Sequence, residues 1–251
     1  MKKHRNQIAA SVRQSMFIYG GYLAIFYAVW AITKVDYTAI GRDEGTIFLW
    51  YALPTLCGSS FVIAAVSILK QWKVALFEPS RVGPTWTNIL PLAMLAAIAL
   101  NFSATNTANI TPELLLWSLL GGVGVGIGEE IITRGSLLVS LRQRFAEEKV
   151  WLYTTLAFSA LHIPNVFFGL SFVQMLLQLI IAFIMGSAFY AMRRTTGTLL
   201  VPIILHGLWD TSIFLPQATG GSPNGIAALI YPLAIICAAA VIKRNKQQPL
   251  D

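Results

Sequence analysis

Residues 114–141 read LLLWSLLGGVGVGIGEEIITRGSLLVSL. This is an apolar stretch long enough to cross a bilayer, yet it carries Glu129, Glu130 and Arg134 in its interior. A helix rises 1.5 Å per residue and a hydrocarbon core is about 30 Å thick, so some 20 apolar residues make one crossing. Charged groups inside such a crossing cost about 2.5–3.5 kcal/mol each on insertion scales, so each needs a partner or a task. Working outward, the same uncharged character recurs along the whole chain. Further spans are expected at Met16–Thr33, Thr46–Leu69, Trp86–Phe102, Val150–Leu170, Ser171–Met192, Gly197–Leu215 and Gly225–Ile242. Pro164, Asn165 and Gly169 are the only punctuation between the fifth and sixth spans.

The composition agrees. Of 251 residues 56% are apolar and 12% charged, with a mean hydropathy of +0.65. A soluble domain is about one quarter charged. The reading is an all-α polytopic bundle of about eight spans, one integral-membrane domain over 1–251, with no internal repeat. Cys57 and Cys237 lie in apolar runs and act as small hydrophobes rather than a disulfide framework.

A net charge of +7 would suggest nucleic acid in a soluble protein, but here the position of the charges decides. Eighteen Lys and Arg residues are present, and the eight-span reading puts all but Lys34 and Arg42 on one side. That side is cytoplasmic by the positive-inside rule, and so are both termini. The basic loops then serve orientation and contact with the lipid bilayer, and no nucleic-acid partner is expected.

Few titratable groups fall inside spans: Glu129, Glu130, Asp210, His162 and His206. They form three constellations, Glu129-Glu130-x-x-x-Arg134, Phe158-x-x-x-His162 and His206-x-x-x-Asp210, each with a spacing of four that shares one helical face. Glu129 is thirteen residues from Arg142, His162 thirteen from Lys149 and His206 twelve from Arg194. On regular helices each would lie about 18–20 Å from the basic side, in one layer. Such a set suits activation of water, either by a buried carboxylate acting as general base or by a divalent metal, zinc first, on Glu129, His162 and His206. A serine or cysteine nucleophile fits worse, since neither stands in a recognisable elbow beside a histidine.

In this order the motifs resemble the CPBP family, the CAAX proteases and bacteriocin-processing enzymes that include the Ras-converting CAAX endopeptidase. The likeness covers about 114–215, taken as the catalytic core. It implies that Glu129 activates water, that Glu130 supports it through Arg134, and that His162 and His206 position the water or the developing oxyanion. Asp210 stands where some relatives have asparagine. Phe158 would shape the pocket, and Asn165 would be a supporting polar group beside a helix break. No cofactor is certain from the likeness, which accommodates both a metal-dependent and a metal-free glutamate mechanism. The implied activity is endoproteolysis of a membrane-associated peptide or protein, in a compact chain like prokaryotic cell-membrane members. The competing expectation is a non-proteolytic scaffold or immunity factor, or a proton-coupled carrier using the same buried charges.

The glycines Gly121, Gly122, Gly124, Gly126 and Gly128 lack the register of a phosphate loop. Gly122/Gly126 and Gly124/Gly128 are small-xxx-small pairs, as close helix packing requires.

Overall fold

The computed structural model describes residues 11–246, and Lys2, Lys3, His4, Arg5 and Asp251 lie outside the described residues. Its principal helices are α1 (Val12–Thr33), α2 (Glu44–Ile68), the short α3 (Trp72–Leu76), α4 (Ile89–Phe102) and α5 (Pro112–Leu141), then α6 (Glu147–Ala160), α7 (Phe172–Thr196), α8 (Leu200–Ala218) and α9 (Ile230–Lys246). No strand occurs among the described residues. Among the described residues six helical segments, those of α1, α2, α4, α5, α7 and α9, are long and apolar enough to cross a membrane.

Of the other two expected spans, one differs from a simple crossing. The fifth, anticipated at Val150–Leu170, is helical only to Ala160; a 3-10 turn at Ile163–Phe168 follows, and the chain reverses at Gly169 with φ of 102°. Fourteen α-helical residues rise about 21 Å, short of a full crossing. Pro164 sits in the first turn of that 3-10 segment, and a left-handed residue without Cβ is what the reversal requires. The seventh is α8, nineteen residues long and carrying His206 and Asp210.

Helix α5 is the axle. It packs against α2 on one side and α8 on the other, while α1 lies on α2, α4 on α8, and α6 and α9 on α7. Its glycines make the approach possible. A Cβ at Gly122 would collide with Gly207 O and Thr211 Oγ1 of α8, and one at Gly126 with Ile203 O. On the opposite face Gly121, Gly124 and Gly128 lie against Tyr51, Thr55 and Tyr22. One small-residue pair thus faces α8, and the other faces α2 and α1.

Two stretches widen to π-helix, Ile47–Ala52 in α2 and Ile131–Leu137 in α5. A π turn misaligns its carbonyls with the regular ladder, and in lipid a displaced backbone group must find another partner. Arg193 Nη1 donates to Arg134 O, and Ser15 Oγ donates to Ser136 O at 3.0 Å.

Arg193 and Arg194, expected in a connection, belong instead to the last turn of α7, whose end is capped by Gly197 at φ 78°. Both are buried, and both meet Glu78, a carboxylate that reads as an ordinary loop acid. Arg142 joins them, 2.8 Å from Glu78 and 2.6 Å from Glu147. Tyr190 donates to Glu147 at 2.8 Å. Burial raises the Glu78 pKa, but Arg193, Arg142 and Arg194 outweigh it and hold the carboxyl down at about 2.

Two outcomes follow from this packing. Gly207→Val forces backbone apart at α5/α8 and is expected to cost about 1–3 kcal/mol or more, read as a lowered unfolding midpoint in detergent. Because the folded pKa of Glu78 lies below the unfolded value near 4.5, its contribution is present above that pH and is lost as pH falls toward about 2. Glu78→Gln should therefore destabilise at neutral pH by about 3–5 kcal/mol and flatten the acid limb of the stability profile.

Candidate functional site

The titratable side chains of α5, the end of α6 and α8 converge. Glu130 and Arg134 are fully buried and paired, Nη1 to Oε1 at 3.2 Å. The same Glu130 oxygen lies 3.1 Å from His206 Nδ1, so one carboxylate joins α5 to α8. A carboxylate that bridges an arginine and an imidazole accepts from both, which puts a proton on His206 Nδ1 and turns Nε2 toward Asp210 Oδ1, 4.0 Å away.

The guanidinium is held by more than charge. It lies over the Phe158 ring at 4.0 Å and donates to Thr133 Oγ1 at 2.8 Å, while Thr133 donates to Glu129 O at 2.5 Å. Gly186 of α7 leaves the room, since a Cβ there would strike Arg134 Nη2 and crowd Phe158 and Thr155. Phe158 also meets both imidazoles edge-on, at 5.7 Å from His162 and 5.5 Å from His206. Phe189 stacks on His206 at 4.5 Å.

His162 lies just past the helical end of α6, and its Nδ1 is 3.3 Å from Phe158 O. A carbonyl only accepts, so this contact leaves Nε2 as a lone pair. Regular helices were the premise of the shared depth, and the real path differs, with a turn at His162 and a π turn after Glu130. Tertiary packing nonetheless gathers the groups.

Glu129, His162, His206 and Asp210 all line one cavity of about 480 Å³, together with Phe158 and Asn165. Glu130 and Arg134 stand behind that wall. Glu129 is 9% exposed, and its buried Oε2 has no hydrogen-bond partner. Asn165 is part of a polar string that the sequence did not suggest: Tyr27 donates to Asn165 at 2.9 Å, Asn165 to Gln178 at 2.9 Å, and Gln178 to Tyr37 at 2.5 Å. The signal was present in part, because Gln174 and Gln178 are amides four apart in an apolar span. Tyr27 and Tyr37 gave no such signal, since aromatic residues are common at membrane interfaces.

Among the described residues, no three His, Cys, Asp or Glu side chains come close enough together to hold a metal ion. In the anticipated set of Glu129, His162 and His206, Nδ1 of His206 is engaged by Glu130 and Nδ1 of His162 by a main-chain carbonyl, which leaves Nε2 as the free nitrogen of His162 and turns that of His206 toward Asp210.

Residues 111–212 match the model of a family described as type II CAAX prenyl endopeptidase Rce1-like. This segment is an Rce1-like domain of the CAAX protease family. It contains all three motifs and nearly coincides with the 114–215 core expected from them. The family is one of proteases, and with six candidate membrane helices the chain is a multi-pass integral membrane protein. No curated protein and no solved structure matches the chain.

The arginine pocket is directly testable. Gly186→Ala displaces the guanidinium from Phe158 and from Glu130, and Arg134→Lys removes the planar group that fills the same space. Each is expected to cost about 1–3 kcal/mol, measured as a lower unfolding midpoint in detergent against a Gly20→Ala control, where added Cβ meets nothing within 4 Å.

Proposed function

We propose that this protein is an intramembrane endopeptidase that hydrolyses a membrane-associated peptide or protein with water activated by Glu129. The observation that carries the reading is the unpartnered Glu129 Oε2, buried at the wall of a cavity that His162, His206 and Asp210 also line. What sets Glu129 apart from Glu130 is that it lines the cavity, so its free acceptor is open to a water or substrate group there.

In this mechanism a water donates one hydrogen bond to Glu129 and one to the His162 Nε2 lone pair. Glu129 takes a proton as the water oxygen bonds to the scissile carbonyl carbon. The carbonyl oxygen becomes an oxyanion facing His206, whose Nε2, when protonated with Asp210 4.0 Å away, donates to it. Collapse of the intermediate breaks the C–N bond, and Glu129 returns its proton to the leaving amine. Glu130 touches neither water nor substrate. It holds His206 through Nδ1 and is itself held by Arg134, which makes both positioning residues. Phe158 keeps the two imidazoles apart and the arginine behind the wall.

Residues 1–251 are taken as one membrane domain with 114–215 as its catalytic core. The eight-span orientation puts both termini and the Glu78 network on the cytoplasmic side. In that arrangement α6 with its 3-10 turn and α8 are the two crossings in addition to the six long apolar ones.

General acid–base groups contribute about 10²–10⁴-fold, so Glu129→Gln should lower turnover by that order while leaving the unfolding midpoint near wild type. The decisive measurement compares new protein N-termini in a deletion strain expressing wild type or Glu129→Gln at equal levels. N-termini found only with wild type, and reproduced with purified components, identify the substrate. Identical N-termini, with full rescue of a deletion phenotype by Glu129→Gln, would assign the protein to the scaffold class.

A further inference from the structure

His162 owes its position to a turn, and the turn leaves a main-chain acceptor open. In a continued helix Asn165 N–H would donate to Leu161 O. Here it donates to His162 O at 3.2 Å, and His162 N–H goes to Ser159 O at 3.1 Å. Leu161 O is thereby released from the ladder, and inside a membrane it needs another donor. The donor comes from α1. Tyr27 Oη lies 2.5 Å from Leu161 O and 2.9 Å from Asn165 Oδ1, so one hydroxyl joins the residue before His162 to the residue three after it.

Leu161 C=O and His162 N–H belong to the same planar peptide unit, so holding that carbonyl fixes the direction in which the His162 side chain leaves the chain. The Tyr27 ring is itself held. It stacks on Phe168 of the same 3-10 segment at 5.7 Å and meets Trp30 edge-on at 5.3 Å. Asn165 is braced from the other side by Gln178 of α7 at 2.9 Å. A second tyrosine of α1, Tyr19, donates to Ala157 O at 2.8 Å, but that carbonyl lies within the regular part of α6 and Tyr19 is not in the cavity wall.

We infer that Tyr27 is a positioning residue for His162, and that α1, which lies outside the matched segment 111–212, is part of the catalytic unit rather than a passive anchor. Tyr27 lines the cavity, but its proton is committed to the turn. It acts through the Leu161–His162 peptide and Asn165, not on water or substrate. The inference rests on the endopeptidase reading only in giving His162 a part in catalysis.

The test uses the full chain in detergent micelles, with its histidine ring nitrogens isotope-labelled and read by NMR. The chain has three histidines, His4, His162 and His206, and His162→Ala assigns the signals by difference. At mildly alkaline pH wild-type His162 should be a single tautomer, protonated at the Nδ1 that faces Phe158 O. Tyr27→Phe keeps the ring, deletes the hydroxyl and should move the His162 nitrogens toward the average of the two tautomers. Tyr19→Phe should leave them in place. Asn165→Leu removes the other anchor of the hydroxyl and should move them too; it decides the matter if unfolding midpoints show that Tyr27→Phe does not fold. In parallel, Glu129-dependent new N-termini are measured in the deletion strain at equal expression, where Tyr27→Phe should lower cleavage by up to about 100-fold. His162 signals unmoved by Tyr27→Phe, moved equally by Tyr19→Phe, or already averaged in wild type would overturn the inference, as would full cleavage by Tyr27→Phe. A moved His162 ring in a protein whose wild type yields no Glu129-dependent N-termini would leave the positioning intact and count against the endopeptidase reading.

Discussion

A carboxylate without access to water organises this molecule. Glu130 is fully buried, and in a membrane interior neither solvent nor bulk counter-ions can stabilise its charge. It is instead shared between Arg134 one turn along the same helix and His206 on a neighbouring one. That single acceptor sets the rotation of α5 relative to α8 and the face that His206 turns to the cavity. Removing one partner would strand a buried charge, which costs far more than the pair contributes.

Such a junction is possible only because α5 and α8 approach to backbone contact. Gly122, Gly126 and Gly207 remove the side chains that would hold the helices apart, and Gly186 does the same for the arginine from the side of α7. The π turn directly after Glu130 places Arg134 where Phe158 can cover it. Its displaced carbonyl at Arg134 is taken by Arg193, which also pairs with Glu78. The ionic network at the end of α7 is therefore continuous, through one main-chain carbonyl, with the charge pair beside the cavity. Rigid support at one end and a cavity with exposed polar atoms at the other is the division that a preorganised site needs.

Much of this was legible in the amino-acid order. Apolar runs of crossing length, interrupted by three motifs, were enough to read an all-helical membrane bundle and to single out Glu129, Glu130, His162, His206 and Asp210. The family match over 111–212 rests on the same stretch. The reason is energetic: in lipid a charge is rare enough that its mere presence in a span is a signal. The fifth span was misjudged in form, because hydropathy does not distinguish a helix from a 3-10 turn of equally apolar residues such as Ile163–Phe168. Arg193, Arg194 and Glu78 looked like loop charges for a similar reason, since charges near a span end can be solvated, and only the packed bundle shows that these are not.

The sequence by itself determined the class of fold, the residues that bear the charge, and the spacing that pairs Glu130 with Arg134, because hydropathy and helical periodicity are local properties. Tertiary structure decided which carboxylate faces the cavity and which is hidden, for adjacent glutamates on one helix point about 100° apart and only the neighbours define inside and outside. It also decided that His206 meets Glu130 rather than Glu129, and that Tyr27, Asn165, Gln178 and Tyr37 form one string from residues up to 151 positions apart in sequence. Contacts of that kind are made by helix rotation and crossing, which depend on the shapes of all the packed faces at once.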